Sequence, residues 1–397
     1  MTLADNLSKS FSQNIYIQNL PEHCISPWVY LVKGPATVTL AGTAYVLGKD
    51  VSHSDVSVEA GKILPFEIDS LCQININLDE GGESWLADQC SAGTTMWQEI
   101  VNKILIEKFR TILLIGDTDT GKSSLATFIV NLALKKNLKP AVIDADMGQG
   151  DLAPPTAIGG TIIENPITDL RNLDAQFFEF IGNTSPVGFE DVTINAIKQI
   201  VKKITTTDSD ICIINTDGYI HNNGIDYKVK MAKKLRSDLV ICLGEKCVFE
   251  SFRSKYFSLV LHSKGPTKTI KSRIERNQRR LDQFLRYIDG NNNNIHKNVT
   301  IGIKSIKIVY RGITYSKILK DKYGLLQLGK YFRIKPWNLQ GMFIGLGFKE
   351  DIVGFGIIKY ASAYKISIQT KINYFNKIYL SHSGITKDRS LEFRIII

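Results

Sequence analysis

The chain has 397 residues, of which 44% are hydrophobic and 22% charged, a composition typical of a globular protein with room for two or three domains. It shows neither an apolar run near the length of a membrane span nor a secretory signal, so the sequence predicts no membrane association. The formal net charge of +10 is uneven, since residues 251–397 sum to +20 and residues 1–250 to −10. The basic half suggests a polyanionic partner, although a lysine-rich solvated surface would give the same count.

Six cysteines lie at positions 24, 72, 90, 212, 242 and 247. They form no CxxC pair and no metal-ligand spacing with the six histidines. This usage argues against a structural zinc site and predicts a cytoplasmic location.

Residues 1–95 are predicted to form a small N-terminal β domain. Short β segments at 28–32, 36–40, 43–47 and 73–78 are separated by turn dipeptides such as Gly34-Pro35 and Ala41-Gly42. This spacing is typical of a small sandwich or barrel. Apolar residues within 94–107 recur at helical spacing and predict a helix leading into the next domain.

The most specific motif follows the apolar segment 111–115. Residues 116–123 fit the pattern GxxxxGK[ST] and precede a helical pattern, which is the context that gives this phosphate-binding motif its meaning. Lys122 is expected to reach the β- and γ-phosphates of a nucleotide, and the Ser123 hydroxyl to hold Mg²⁺. The residues expected to bind the nucleotide are Gly116, Asp117, Thr118, Asp119, Thr120, Gly121, Lys122, Ser123 and Ser124.

Segments with strand character at 111–115, 140–144, 211–215, 238–243 and 257–262 alternate with helical patterns. Such alternation predicts an α/β domain with a mostly parallel sheet and with ligands at the carboxyl ends of the strands. Asp144 and Asp146 follow the second segment and point to opposite faces if the chain is extended. One of them is then free to meet Mg²⁺ or an attacking hydroxyl, and the other packs or hydrogen-bonds nearby. Asn215 to Tyr219 end the third segment at the same edge.

Residues 271–280 contain five basic side chains and precede an amphipathic pattern at Leu281, Phe284, Leu285 and Ile288. This stretch is either a solvated helix face or a mobile lid whose arginine closes on a transferring phosphoryl group. Residues 289–294 then predict a surface loop and a domain boundary. Beyond it, β patterns at 299–310, 341–347, 354–358 and 363–370 predict a C-terminal β domain.

The remaining motifs separate the classes of P-loop protein. A guanine-specific GTPase would carry Asn-Lys-x-Asp, but Leu105 and Tyr379 stand where that Asp belongs after the two Asn-Lys pairs. A helicase would need a second nucleotide-binding core, whereas the remaining length has β patterns.

As an ordered set, the motifs resemble those of the polynucleotide 5′-hydroxyl kinases, which include archaeal RNA kinases and the kinase subunit of the pre-mRNA cleavage complex. The shared segments are the P-loop, Asp144-x-Asp146-x-Gly148-Gln149, Gly182-x-Thr184-Ser185-Pro186, Asn215-Thr216-x-Gly218-Tyr219 and the arginine-rich lid. The resemblance covers the whole chain. It implies an α/β fold in which a central P-loop kinase domain with a mostly parallel sheet, at 96–295, is flanked by small β domains at 1–95 and 296–397.

The resemblance also implies roles for single residues. Lys122 and Ser123 would hold ATP and Mg²⁺, and Asp146 would contact the metal and activate the RNA 5′-hydroxyl. Thr184 and Ser185 would belong to a clasp on the substrate phosphate, with Gln149 and Tyr219 as further substrate contacts. Arg276 or Arg280 would stabilise the transition state. Two positions depart from the family pattern, because Tyr219 replaces a Trp and Val187-Gly188-Phe189 replaces an Asn after the clasp.

The sequence therefore predicts an RNA 5′-hydroxyl kinase that uses ATP and Mg²⁺ and acts on RNA or DNA ends, together with RNA-processing protein partners. An ATP-binding structural subunit of an RNA-processing complex, which binds nucleotide without turnover, is the alternative. A kinase of small molecules would leave the basic half unexplained. The bias toward Ile, Lys and Asn suggests an archaeal source.

Overall fold

The structure is a computed structural model that describes residues 11–15, 28–69, 71–87, 94–256, 258–264, 272–289, 297–330 and 332–395. Cys24, Cys90, Lys271 of the expected lid and the asparagine run at 291–294 lie outside the described residues. Of the cysteines within them, Cys72, Cys212 and Cys242 are buried and Cys247 is exposed, all as free thiols. None of the helices in these ranges is long and apolar enough to cross a membrane.

The N-terminal region forms two antiparallel sheets packed face to face. Its strands are β1 (Phe11–Ile15), β2 (Trp28–Lys33), β3 (Ala36–Ala41), β4 (Ala44–Val46), β5 (Lys49–Asp50), β6 (Asp55–Val58), β7 (Ile63–Ile68), β8 (Gln73–Leu78) and β9 (Glu83–Leu86). The sheet orders are β1-β8-β3-β6 and β5-β4-β7-β2-β9. Side chains alternate between core and solvent, as Val38 and Leu40 are buried while Thr39 between them is exposed, the pattern of a sheet with one face covered. Of the two predicted forms, a sandwich or a barrel, the structure shows the sandwich.

The central region alternates strands with helices. The strands are β10 (Thr111–Gly116), β11 (Pro140–Ala145), β12 (Ala157–Ile162), β13 (Phe177–Phe180), β14 (Ile211–Thr216), β15 (Leu239–Leu243) and β16 (Val260–Ser263). The helices are α1 (Thr94–Glu107), α2 (Lys122–Lys135), α3 (Glu190–Thr205), α4 (Gly224–Leu235), α5 (Lys246–Arg253) and α6 (Arg273–Asp289). They cover a sheet of order β13-β12-β11-β14-β10-β15-β16. Strands β11, β14, β10, β15 and β16 are parallel, and β12 and β13 add an antiparallel edge. The predicted mostly parallel sheet is confirmed.

The two faces of this sheet pack against different partners. Ile112 and Leu114 of β10 join the core that contains α1, α2 and the N-terminal sheets. Leu113 and Ile115 join the core formed with α3, α4 and α5. Both faces of β10 are thus buried, which explains its unbroken apolar sequence.

The C-terminal region is again a β domain. Its strands are β17 (Lys297–Gly302), β18 (Lys307–Tyr310), β19 (Ile313–Tyr315), β20 (Ile318–Lys320), β21 (Leu326–Leu328), β22 (Phe332–Ile334), β23 (Phe343–Phe348), β24 (Asp351–Ala361), β25 (Lys365–Thr370), β26 (Lys377–Tyr379), β27 (Ser383–Ile385) and β28 (Glu392–Arg394). They form the sheets β17-β25-β24-β23-β26-β18-β19, β20-β21-β22 and β27-β28. The expected α/β centre with flanking β domains is confirmed.

An aromatic cluster joins the C-terminal domain to the central one. Phe284 of α6 and Phe343 of β23 have ring centroids 4.7 Å apart, and Phe180 and Phe355 extend the same cluster. The predicted boundary at 95/96 falls in the first turn of α1, and the boundary at 295/296 lies outside the described residues. Both boundaries stay predictions.

Candidate functional site

The P-loop connects β10 to α2, as the motif predicts. Gly116 has φ 152°, and a Cβ there would lie 2.4 Å from the carbonyl oxygen of Leu243. Gly121 has φ 88° and precedes the first residue of α2. Only glycine adopts both conformations without strain. The α2 N-terminus begins directly after this turn, an arrangement that suits the binding of an anion.

Lys122 is held inside this turn. Its Nζ donates hydrogen bonds to the carbonyl oxygens of Gly116 at 3.0 Å and Asp117 at 2.6 Å. Burial lowers the pKa of Lys122 to about 8, and the negative charge of Asp146 opposes that effect. An ammonium group buried in this way favours an anionic partner, because a second charge offsets the cost of its desolvation.

Ser123 belongs to a network of hydrogen bonds at the edge of the sheet. Strand β14 lies between β10 and β11, so Asn215 Nδ2 reaches Ser123 Oγ and Asp144 Oδ1, each at 3.1 Å. Asp144 Oδ2 also accepts from the backbone N–H groups of Asp151 and Leu152. Burial, followed by the charge of Asp151, raises the pKa of Asp144 to about 7.

The same hydrogen-bond network suits a divalent cation that prefers oxygen ligands. Asn215 Oδ1 is buried and has no hydrogen-bond partner among the described residues, which leaves an orphaned acceptor on the side chain that contacts Ser123 and Asp144. Mg²⁺ is commonly held by few protein oxygens together with substrate phosphates. Clusters of three or more His, Cys, Asp or Glu side chains suited to a metal do not occur in the described ranges, so a site made only of such ligands is not present there.

Asp146 follows β11 and is fixed by its own turn. Its Oδ1 accepts from the backbone N–H groups of Gly148 at 3.0 Å and Gln149 at 2.9 Å. The Gln149 side-chain amide in turn donates to the carbonyl oxygen of Arg276 in α6 at 3.2 Å. The loop that orients Asp146 is thereby tied directly to the predicted lid.

One cavity, called here the first cavity, brings most of the predicted residues together. Its P-loop side is formed by residues 118–124, and Asp146, Gln149 and Arg276 face them. Gly116 and Asp117 act through the carbonyl groups that hold Lys122. The N-terminal domain and α1 supply apolar walls at Leu31, Pro65, Trp85 and Trp97. The cavity therefore offers a charged end and an apolar end.

Helix α6 presents three arginines to different partners. Arg276 Nη2 lies 3.5 Å from Asp119 Oδ2 of the P-loop. Arg279 forms an ion pair with Asp151, whereas Arg280 Nε pairs with Glu392 of β28 at 2.7 Å. Of the two predicted transition-state arginines, Arg276 lines the first cavity and Arg280 does not.

The clasp residues Thr184 and Ser185 line a different cavity, called here the second cavity, together with Arg280. The turn before them needs Gly182, which has φ 85° and packs against the Leu380 carbonyl oxygen, 2.6 Å from where a Cβ would lie. The structure thus places the clasp beside the first cavity rather than inside it.

Tyr219 lines neither the first cavity nor the second. Its N–H donates to Asp217 Oδ1 at 2.9 Å, and Asp217 is paired with the fully buried Lys228 at 2.9 Å. The preceding Gly218 touches the P-loop, since a Cβ there would lie 2.5 Å from Thr118 Cγ2. Tyr219 is therefore held firmly, and its role as a base contact stays a prediction.

A buried ionic cluster around Asp151 was not anticipated from the sequence. Asp151 is 1% exposed. It pairs with Lys62 of the N-terminal domain at 3.0 Å, with Arg171 at 3.8 Å and with Arg279 of the lid helix. Burial alone would raise the pKa of Asp151, but these three cations outweigh it and hold the pKa well below its usual range. The cluster ties three parts of the site to one carboxylate.

Comparisons with known proteins agree with this geometry. Residues 116–290 match the family model described as the P-loop of the mRNA cleavage and polyadenylation factor CLP1. A polyribonucleotide 5′-hydroxyl-kinase of Methanocaldococcus jannaschii is 30% identical over 224 residues, which cover 54% of this chain and 59% of that protein. One of Pyrococcus abyssi is 24% identical over 273 residues, which cover 66% and 74%.

The fold has a counterpart among solved structures. The structure of Clp1p in complex with Pcf11p superposes with a TM-score of 0.67 at 14% identity and covers 96% of this chain and 98% of that one. At this identity the likeness concerns the fold alone. Together with the sequence matches, it confirms the resemblance on which the predictions rest. Residues 116–290, which contain the P-loop, thus match the CLP1 P-loop family model.

Proposed function

We propose that the protein is an ATP-dependent polynucleotide 5′-hydroxyl kinase that transfers the γ-phosphate of ATP to the 5′ end of RNA. The observation that carries the proposal is that Lys122, Ser123, Asp146 and Arg276 line a single cavity at the carboxyl edge of the sheet. The archaeal relatives named above bear the name of this activity. The aligned region spans only 59% of the first of them, so we extend the activity to this chain as a proposal.

In the proposed reaction Asp146 accepts the proton of the 5′-hydroxyl while the hydroxyl oxygen bonds to the γ-phosphorus and the bond to the β–γ bridging oxygen breaks. Two backbone N–H groups already orient the Asp146 carboxylate toward its position in the site. Lys122 neutralises the phosphates, and Arg276 offsets the charge that develops on the transferred group. Phosphoryl transfer gains most of its rate from such positioning and charge stabilisation.

Mg²⁺, when bound, would supply positive charge that offsets the negative charge of the phosphates. We assign its protein contacts to Ser123 and Asp146, with Asn215 and Asp144 holding the Ser123 hydroxyl in place. These oxygens are the ligand type that Mg²⁺ prefers.

For the substrate we propose RNA with a 5′-hydroxyl end, bound through Gln149, Thr184, Ser185 and Tyr219, with DNA ends as the second candidate. The basic C-terminal half supports a polyanionic substrate. We also propose RNA-processing protein partners, since Clp1p, whose structure has a similar fold, is bound to Pcf11p. A cytoplasmic location is a further proposal.

The test measures transfer of labelled γ-phosphate from ATP to matched RNA and DNA oligonucleotides with 5′-hydroxyl ends, with 5′-phosphorylated RNA as the blank. We expect label on the hydroxyl RNA and its loss by at least about 10²-fold in Lys122→Ala and Asp146→Asn. The control is Lys139→Ala, an exposed lysine that precedes β11, whereas Asp146 follows the opposite end of that strand. ATP bound but never transferred by the wild type would contradict the kinase and favour the structural-subunit alternative.

A further inference from the structure

The second cavity extends beyond the clasp residues. It has a volume of about 750 Å³ and lies between the clasp turn, the lid helix α6 and the C-terminal hairpin β27–β28. The C-terminal domain therefore builds one complete wall of it. No step of the proposed phosphoryl transfer uses that wall.

The second cavity adjoins the first through one tight contact. A Cβ on Gly148 would lie 2.6 Å from the Thr184 carbonyl oxygen, so the turn that fixes Asp146 lies directly against the clasp. Asp146 faces the first cavity and Thr184 the second. The two cavities therefore lie on either side of this pair of packed turns.

The charge of the second cavity favours an anion. Arg273, Arg280 and Arg394 line it, and Glu392 is the one carboxylate among the described residues that do so. Arg280 already pairs with Glu392 at 2.7 Å. Arg273 on the lid and Arg394 on β28 thus leave a net positive charge on two facing walls.

Apolar side chains are exposed around the same opening. Ile274 is 80% exposed, Leu391 64% and Val187 55%, and Phe393 adds a partly exposed ring. Exposed apolar groups gathered in one place mark a binding surface. Cations together with apolar and aromatic faces are the usual means of holding single-stranded nucleic acid.

We propose that the second cavity binds the nucleotides just downstream of the 5′-terminal one, and that the C-terminal domain contributes Arg394 to this contact opposite Arg273 of the lid. The proposal rests on the proposed kinase function for the direction of the strand. An acidic protein segment would meet the same charges. RNA is favoured because the cavity opens beside the clasp and Asp146, where the strand has to leave the site.

The first experiment measures binding and needs no turnover. A ten-nucleotide RNA with a 5′-hydroxyl and a 3′ fluorophore is titrated with wild type, Arg394→Ala and Arg273→Ala, using anisotropy in the absence of ATP. We expect each variant to bind about tenfold more weakly. We also expect the slope of log affinity against log salt to fall by about 0.7, because one phosphate contact is lost. Arg253→Ala, an exposed arginine of α5, is the matched control.

The second experiment compares kcat/KM for the ten-nucleotide RNA with kcat/KM for a dinucleotide. We expect the advantage of the longer RNA to shrink about tenfold in Arg394→Ala and to persist in Arg253→Ala. The proposal would be overturned if both cavity variants kept the RNA affinity, the salt slope and the length advantage of the wild type, and that result would point to a protein occupant. In that case, phosphorylation of the dinucleotide would still support the kinase function. RNA binding that depends on Arg394 in a chain that never transfers phosphate would instead overturn only the kinase function.

Discussion

Asn215 Nδ2 donates a hydrogen bond to Ser123 Oγ at 3.1 Å. The contact joins residues 92 positions apart because β14 pairs with β10 on one side and β11 on the other. The same nitrogen lies 3.1 Å from Asp144 Oδ1. Asn215 therefore links the Ser123 hydroxyl to the Asp144 carboxylate, which is itself held by two backbone N–H groups.

Asn215→Ala should weaken the use of Mg²⁺ while leaving the fold intact. Residues that orient a metal ligand typically contribute about 10- to 100-fold to metal affinity or activity. We expect the Mg²⁺ concentration for half-maximal phosphate transfer to rise by roughly that factor, as measured by titrating the metal at fixed ATP. Asn298→Ala, an exposed asparagine of β17, is the control. An unchanged metal titration would show that Ser123 needs no such support.

Asp151→Asn should be among the most destabilising single substitutions in the chain. The change removes the carboxylate that pairs with Arg279 and Lys62 in a buried cluster, in which Lys62 and Arg171 keep Asp169 as a partner. Removing one partner of a buried ion pair typically costs about 3–5 kcal/mol. Urea unfolding at pH 7 would measure this loss in the free energy of unfolding. A loss below about 1 kcal/mol would mean that the cluster behaves like a solvent-exposed ion pair.

The pH dependence of stability gives an independent check on Asp151. Its pKa is lowered in the folded state from an ordinary value of 3.8, so its stabilising contribution is complete above that value and is lost as the pH falls toward the folded-state pKa. We expect the unfolding free energy of the wild type to drop below about pH 4. Asp151→Asn should show a shallower drop, and parallel curves for the two proteins would contradict the assignment.

Much of the central fold could be predicted because its signals are local. The apolar strands, the helix at Thr94–Glu107 and the P-loop turn follow from periodicity and from glycine at Gly116 and Gly121. The antiparallel edge formed by β12 and β13 was not predicted. Residues 177–181 form an apolar segment, but nothing in that segment specifies whether the strand pairs in a parallel or an antiparallel direction.

The site was predicted only where its residues belong to motifs. Lys122, Ser123, Asp146 and Arg276 line one cavity, and their roles stay predictions. Lys62 and Asp151 are 89 positions apart, and their pairing depends on how the N-terminal domain packs, which no local pattern encodes. The sequence places Asn215 at the end of a strand, but its contact with Ser123 cannot be predicted without the order of the strands in the sheet. The signal available was a polar residue ending an apolar strand.

Gly218→Ala should lower ATP affinity without unfolding the protein. A Cβ at this position would lie 2.5 Å from Thr118 Cγ2 and 2.7 Å from Thr118 N, so the P-loop has to shift. We expect the Kd for ATP to rise by about tenfold or more, with thermal unfolding little changed. Gly302→Ala is the control, because its Cβ meets nothing closer than 3.5 Å. Normal ATP affinity in Gly218→Ala would mean that the two turns move independently.

Arg276 and Arg280 can be separated by the partners they contact. Arg276 lies beside Asp119 in the first cavity, so Arg276→Ala should reduce kcat by about 10³-fold with little change in the KM for ATP, as for an arginine that acts in the transition state. Arg280 instead pairs with Glu392 of β28. Arg280→Ala should therefore have a smaller effect on kcat and should loosen the contact between the lid helix and the C-terminal domain.

The matched variant for Arg280 is Glu392→Gln, which removes the other half of that pair. If Arg280 acts only through Glu392, the double variant should be no worse than either single one, since both remove the same interaction. Steady-state kinetics on 5′-hydroxyl RNA with all three variants would decide the assignment. A 10³-fold loss of kcat in Arg280→Ala, with normal turnover in Glu392→Gln, would mean that Arg280 leaves Glu392 and reaches the transferring phosphoryl group when the lid closes.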